Sequence, residues 1–209
     1  MMCRAIVASL MGAIIATAPA SSAAQQRDPE EYAKALERAE RVTRLQVPRV
    51  VEALKIEPGM RVVDLGAGSG VLTRPMARAA APGGVVYAVD IDDGLLAIVA
   101  RSARAESIDN VRTVRIAPDD PTFPEPADLV LICDTLHHVA NQGPYLNRLR
   151  QSVKPGGRVA VIDYRDSWPA GHESLMFTEA HVDAWMREAG FQRVESHEFL
   201  DGLFFAVYR

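Results

Sequence analysis

The sequence predicts an α/β fold: a mostly parallel sheet with helices on both faces and an antiparallel last strand. Three observations carry this. From about Arg61 onward, short β-branched runs alternate with longer helix-forming stretches, as βα units require. The run Ala127–Cys133 is apolar nearly throughout, the pattern of a strand buried on both faces. Near the end, Asp201-Gly202 joins two strand-like runs, Gln192–Leu200 and Leu203–Tyr208, leaving no length for a crossover helix.

Each element has a local reason. Asp28-Pro29 opens a helix, with Asp28 as N-cap and Pro29 in the first helical position. Glu30–Leu45 continues it, rich in Ala, Glu and Arg; Glu37 with Arg41 and Glu40 with Arg44 lie one helical turn apart and read as a solvated face. Pro48 starts a second helix, Val50–Ile56, with Val50, Val51 and Leu54 turned to a sheet. From its position, the segment 25–57 is expected to cap a cleft, ahead of the main domain over 58–209. Pro58-Gly59 bounds the first strand, Arg61–Leu65, and a helix follows over about Leu72–Ala81. After a turn at Pro82-Gly83-Gly84 come the second strand, Val85–Asp90, and a helix at about Gly94–Ala105 capped by Asp92. Val111–Ile116 is the third strand, followed by a loop stiffened by Pro118, Pro121, Pro124 and Pro126. Beyond the fourth strand, Ala127–Cys133, a helix over Tyr145–Val153 stops at Lys154-Pro155-Gly156-Gly157. Arg158–Tyr164 is the fifth strand, and Thr178 caps a helix running to Ala189 with Gly190 as its stop.

Length and composition bound the function. The 209 residues fit one domain with a full core. Net charge is −4 with no Lys/Arg-rich run, which argues against nucleic acid as partner, since phosphate binding needs a basic surface. The start has the form of a secretory signal peptide over residues 1–24. Met1–Arg4 is short and basic, Ala5–Ala18 is apolar, and both Ala18-Pro19-Ala20 and Ser22-Ala23-Ala24 fit a small-x-small cleavage rule. Export to a periplasm or to the medium is expected; the alternative is a membrane anchor left uncleaved. The apolar run is short for a span, so no stable membrane segment is expected after cleavage. Cleavage removes Cys3 and leaves Cys133 alone, so no internal disulfide supports the fold.

The chemistry centres on Arg61–Gly70. A buried strand runs into glycines at alternate positions, Gly66, Gly68 and Gly70, and then into a helix, which suggests a pocket of inward-pointing N–H groups. The dinucleotide pattern G-x-G-x-x-G fails, because Val71 stands three residues after Gly68. Instead Asp64 lies two residues before the first glycine, and an acid suits a ligand carrying an ammonium and a sulfonium better than one carrying a pyrophosphate. Asp90 ends the second strand, where a carboxylate can accept both hydroxyls of a ribose. After the third strand, Asp119 and Asp120 are both candidates to accept the amine of an adenine. No metal is expected at that acidic pair, because no His or Cys is near in sequence. The fourth strand delivers Asp134-Thr135-Leu136-His137-His138-Val139 to the carboxyl edge of the sheet, where ligands of open α/β sheets bind.

Taken in order, these features resemble the class I S-adenosylmethionine-dependent methyltransferases from about Val50 to Arg209. They are D-L-G-A-G-S-G, the ribose acid, the acids after the third strand, the apolar fourth strand running into L-H-H, K-P-G-G and the closing hairpin. The resemblance implies a Rossmann-like seven-stranded sheet of order 3-2-1-4-5-7-6 with strand 7 antiparallel. It implies that Asp64, Gly66, Ala67, Gly68 and Gly70 face the methionine part of S-adenosylmethionine, Asp90 and the adjoining Ile91 the ribose, and Asp119 or Asp120 the adenine. L-H-H looks like that of small-molecule methyltransferases. The N/D-P-P-Y/F motif of many amino-group methyltransferases is absent, with Cys133-Asp134-Thr135-Leu136 in its place.

A sulfonium methyl is already activated, so alignment supplies most of the acceleration and a base is needed only if the acceptor must lose a proton early. His137 and His138 are the candidate bases. Neighbours in sequence face apart, so one at most should meet the substrate. Asp163 and Tyr164 are weaker candidates, and His172, His181 and His197 read as surface or packing residues. The alternative function is a non-catalytic S-adenosylmethionine- or nucleoside-binding protein on the same fold.

Overall fold

The computed structural model describes residues 28–165, 168, 170–172 and 174–209. The signal segment expected over residues 1–24 lies outside the described residues. Three short helices come first: α1 (Pro29–Leu36), α2 (Ala39–Leu45) and α3 (Val47–Ala53). The alternating core follows: β1 (Arg61–Leu65), α4 (Thr73–Ala80), β2 (Val85–Asp90), α5 (Asp93–Ala105), β3 (Val111–Arg115), β4 (Ala127–Cys133), α6 (Gln142–Leu149), β5 (Val153–Tyr164) and α7 (Glu179–Glu188). The chain closes with β6 (Arg193–His197) and β7 (Leu203–Tyr208).

The seven strands form one sheet in the order β3-β2-β1-β4-β5-β7-β6. β7 is antiparallel to both its neighbours, and the other pairings are parallel. The strand pleat sends alternate side chains to opposite faces. Val63, Leu65, Val130 and Ile132 meet Tyr145, Leu146, Val182 and Met186 of α6 and α7 on one face. Val62, Leu129 and Leu131 meet Val50, Leu54, Met76 and Ala77 of α3 and α4 on the other. Both faces of the central strands are dry, which is why those strands read as continuous apolar runs. Asp28, Asp92 and Thr178 cap their helices through side-chain hydrogen bonds to backbone N–H groups.

The structure departs from the sequence reading in five places. The helix expected over Tyr145–Val153 spans Gln142–Leu149, and Val153 already opens β5. The helix expected over Glu30–Leu45 breaks at Glu37-Arg38; Glu37, Glu40 and Arg44 are exposed as expected, but Arg41 is turned inward. Glu37 pairs with Arg74 of α4, and Arg41 with Asp134 beyond β4. The next helix spans Val47–Ala53, not Val50–Ile56, because Gln46 turns left-handed (φ 43°) and restarts the chain. Lys154-Pro155-Gly156-Gly157 does not precede β5 but interrupts it: Ala127 pairs with Val153 and Leu129 with Arg158, so five residues of β5 pass two of β4. Finally, β6 ends at His197, and the hairpin turn is the five-residue stretch 198–202 rather than Asp201-Gly202 alone. Leu200 is buried there and Phe199 packs beside it, and the Gln46 side chain donates to the Phe199 carbonyl at 2.5 Å. Apolar burial outweighs continued pairing at this sheet edge.

Candidate active site

The carboxyl ends of β1, β2 and β4 open into a cavity of about 1270 Å³. Tyr32, Leu36, Arg41 and Leu45 of α1 and α2 form one wall. A single drug-sized ligand usually occupies roughly 300–1,000 Å³, so two small molecules fit side by side.

The glycine turn after β1 forms the floor. Gly66 and Gly68 hold φ of +78° and +55°, which favour glycine. They are also crowded. A Cβ on Gly66 would stand 2.3 Å from Thr135, and one on Gly68 2.8 Å from Leu36. The turn's amides, however, do not point into the pocket as expected. Gly66 and Ala67 N–H donate to the Val89 carbonyl, Gly68 N–H to Asp90 Oδ2, and Gly70 N–H to the Ala67 carbonyl. These groups lock the turn to the end of β2 and leave no ring of open donors for a phosphate. The Ser69 hydroxyl, buried in the same turn and lining the cavity, has no hydrogen-bond partner among the described residues.

Two carboxylates flank this floor. Asp64 is buried (3% exposed) and accepts the Thr73 hydroxyl at 2.5 Å. Burial pushes its pKa up to about 6, aided by the nearby charge of Asp90 and opposed by the Thr73 hydrogen bond. Asp90 accepts from Gly68 N–H (2.9 Å), Ile91 N–H (2.7 Å) and Asp92 N–H (3.1 Å). Burial raises its pKa, with these three bonds opposing. A carboxylate offers about four lone-pair sites, so Asp90 has capacity for one further donor, not for two ribose hydroxyls. Ile91 lines the cavity and is half exposed to it.

Asp119 and Asp120 are exposed and do not line the cavity; Pro118 does. The Asp119 carbonyl accepts from Arg148 Nε at 2.9 Å, and the Asp120 carboxylate accepts the Thr122 hydroxyl.

The segment after β4 builds the far wall. Asp134 sits at φ +54°, an uncommon backbone for a non-glycine residue. Its carboxylate accepts from Arg41 Nη2 at 2.8 Å and Nε at 3.2 Å. Leu136–His138 form a single 3₁₀ turn, and the two histidine rings, expected to face apart, lie with centroids 4.0 Å from each other. His138 lines the cavity. His137 is buried behind it, with Nδ1 2.8 Å from Asp163 Oδ1, and Asp163 also accepts the Tyr164 N–H at 2.9 Å. Burial raises the Asp163 pKa, opposed by the His137 hydrogen bond. Sequence reasoning passed over Arg41 and Asp134. Asp134 carried a signal, being an acid immediately after the central strand. Arg41 carried none, because its partner lies 93 residues away.

Comparison with known proteins follows the same lines. Residues 63–159 match the family model described as a methyltransferase domain. A ubiquinone/menaquinone biosynthesis C-methyltransferase of Burkholderia vietnamiensis is 30% identical over 149 residues, 69% of this chain. The chain spans 60% of that relative's length. Among solved structures, an SAM-dependent methyltransferase from Aquifex aeolicus superposes with TM-score 0.77 at 21% identity, over 88% of this chain and 98% of that one. The magnesium protoporphyrin IX methyltransferase of Synechocystis with bound SAH gives 0.65 at 17% identity, over 80% and 83%. By its Rossmann-like fold and its matched segment, the chain is similar to the S-adenosylmethionine-dependent methyltransferases.

Proposed function

We propose that the protein transfers a methyl group from S-adenosylmethionine to a small-molecule acceptor. The observation that carries this is the floor of the cavity: a glycine turn with its amides tied back, flanked by two buried carboxylates and holding an orphaned serine hydroxyl. Such a floor suits a cationic nucleoside and not a pyrophosphate. The residues fit the cofactor. Asp64 and the Ser69 hydroxyl would hold its amino-acid end, Asp90 one ribose hydroxyl, and Ile91 and Pro118 the faces and edges of its base. In this arrangement the adenine is held by apolar contact, with Asp119 and Asp120 reaching it only if their loop closes.

Bound S-adenosylmethionine supplies a methyl group on a sulfonium, an already activated electrophile. The chain's part is to align the acceptor and to keep water out. Tyr32, Leu36 and Leu45 cover the cavity with apolar surface, and the Arg41–Asp134 pair fastens this cover to the sheet edge. His138, on the cavity wall, is placed to take a proton from an acceptor hydroxyl. His137, held by Asp163, positions the turn that carries it. The same reading includes export: the basic, apolar, small-residue start of the sequence supports cleavage after Ala20 or Ala24.

Calorimetric titration of the purified protein with S-adenosylmethionine tests the proposal, followed by transfer of labelled methyl to a panel of phenols, quinols and thiols. Saturable 1:1 binding with turnover is expected. Binding without transfer to any acceptor favours the non-catalytic alternative, and no binding at all overturns the reading.

A further inference from the structure

We propose that His137, His138 and His172 form a binding site for a divalent transition metal of the zinc class, open at one position toward the cavity. The fold brings the three together from two places. His137 and His138 come from the turn after β4, and His172 from the connection between β5 and α7. One ligand nitrogen from each lies within 4.8 Å of the others. Their ring centroids are 4.0 Å (137–138), 5.4 Å (137–172) and 5.6 Å (138–172) apart. Imidazoles sharing a tetrahedral ion at Zn–N of about 2.0–2.1 Å have centroids roughly 5 Å apart. Two of the three separations are already near that value, and the His137–His138 pair must open by about 1 Å.

Two further observations point to a ligand. His172 Nδ1 is buried without a hydrogen-bond partner among the described residues, a state that carries a desolvation cost unless something binds it. His137 presents its Nδ1 to Asp163, which leaves Nε2 as its ligand atom. A carboxylate holding the far nitrogen of an imidazole is the arrangement that orients metal-bound histidines. Trp168 stands edge-on to His137 at 5.6 Å and supplies an apolar shell. A second grouping, Asp134 with His137 and Asp163, is equally close. Asp134 Oδ2 is held by Arg41 and Asp163 Oδ1 by His137. Asp163 Oδ2 has no partner among the described residues, but His137 turns Nδ1 to Asp163 and keeps Nε2 for an ion beside the other two imidazoles, so the three histidines are the better donor set. Three imidazoles suit zinc and its neighbours rather than magnesium or calcium.

Three protein ligands leave a fourth position, and His138 lines the cavity, so that position opens where the acceptor sits. With the ion bound, His138 is its ligand and no longer the base for the acceptor's proton, a role it has only in the metal-free protein. This deepens the methyl-transfer reading and rests on it for the acceptor's place. It narrows the acceptor to a molecule with an oxygen donor near the methylated atom, such as a phenol, an enol or a hydroxy acid.

The test uses the full chain, stripped with a chelator and titrated with Zn²⁺ by calorimetry and with Co²⁺ by visible absorption. One metal per chain is expected, with cobalt bands of a low-coordinate site. His172 is half-exposed on a connecting loop, so His172→Ala should fold; it should bind zinc more than about 100-fold more weakly, exceeding the 10–100-fold typical of losing an outer partner. His181→Ala should bind as the unaltered protein does. Absence of stoichiometric zinc, a spectrum of the hydrated ion only, or unchanged affinity in His172→Ala overturns the proposal. S-adenosylmethionine titrated into the same samples separates the two readings. Cofactor binding without zinc sinks the metal site alone, and zinc binding without cofactor sinks the methyl-transfer reading alone.

Discussion

Replacing Asp64 by asparagine should make the protein more stable and a poorer binder of its cofactor. Asp64 is buried with a pKa raised from 3.8 to about 6. The folded state therefore holds the proton more tightly than the unfolded chain. The stability linked to this group is full below the unfolded value near 4 and is lost as pH rises through about 6. The shift of about two units corresponds to roughly 3 kcal/mol, a cost carried at neutral pH by the ionised carboxylate. Asparagine keeps the shape and an oxygen to accept the Thr73 hydroxyl, and it removes the charge facing Asp90. Its gain should approach about 3 kcal/mol near pH 8, or roughly 6–12 °C in melting temperature for a chain of this size. The gain should vanish toward pH 4, where the native carboxyl is protonated. A cationic cofactor needs the ionised form, so S-adenosylmethionine affinity should fall about tenfold or more in the variant. In the unaltered protein it should fall as pH drops below about 6. Thermal melts of both proteins across this range, with calorimetry at each end, decide it. A variant no more stable near pH 8, or a stability gap that ignores pH, refutes the reasoning.

Other expectations are briefer. Asp90→Asn should weaken cofactor binding by about tenfold, for one charge-assisted hydrogen bond lost, and calorimetry will show it; Asp90→Ala should do worse because the Gly68 and Ile91 amides lose their acceptor. His138→Ala should cut turnover roughly 10²–10⁴-fold with cofactor affinity unchanged, and full turnover on a confirmed acceptor would exclude it as the base. His137→Ala should instead cost about 3–5 kcal/mol of stability in denaturant melts, since it strands a buried carboxylate. Arg41→Met should speed limited proteolysis within residues 29–45 while leaving the core melt nearly unchanged; equal rates would mean the pair with Asp134 does not fasten the cover. N-terminal sequencing of protein from the native host should begin at Ser21 or Gln25, and an intact Met1 would reject export.

What the sequence revealed follows from where each signal resides. Strands β1, β2 and β4 were legible because Val, Ile and Leu fill their centres, burial on both faces limiting polar residues to Arg61, Asp64, Asp90 and Asp128. Caps at Asp28, Asp92 and Thr178 were legible because they are contacts within three residues. That Asp64 and Asp90 line one cavity was legible through their spacing from the glycines. That three amides already hold Asp90 was not, because those bonds depend on the fold of the Gly68 turn. The same limit hid Arg41. Its helical spacing to Glu37 promised a local pair, and only the break in the helix frees it to reach Asp134. His172 read only as a surface or packing residue, because nothing in its neighbourhood of sequence predicts that its ring lies beside the two histidines.

The tied-back glycine turn bears on what else can enter this cavity. Adenine nucleotides share a nucleoside with S-adenosylmethionine but carry phosphates in place of a cationic tail. With the amides of Gly66, Ala67, Gly68 and Gly70 committed to β2 or to the turn itself, a phosphate finds no cluster of donors there. It meets the carboxylates of Asp64 and Asp90 instead, which repel it. Discrimination between nucleoside and nucleotide would then rest on two things together: the backbone bonds of Gly66, Ala67 and Gly70, and the side chains of Asp64 and Asp90, the second of which also holds the Gly68 amide. Inhibitors built on adenosine should accordingly gain from a positive tail and lose from any phosphate.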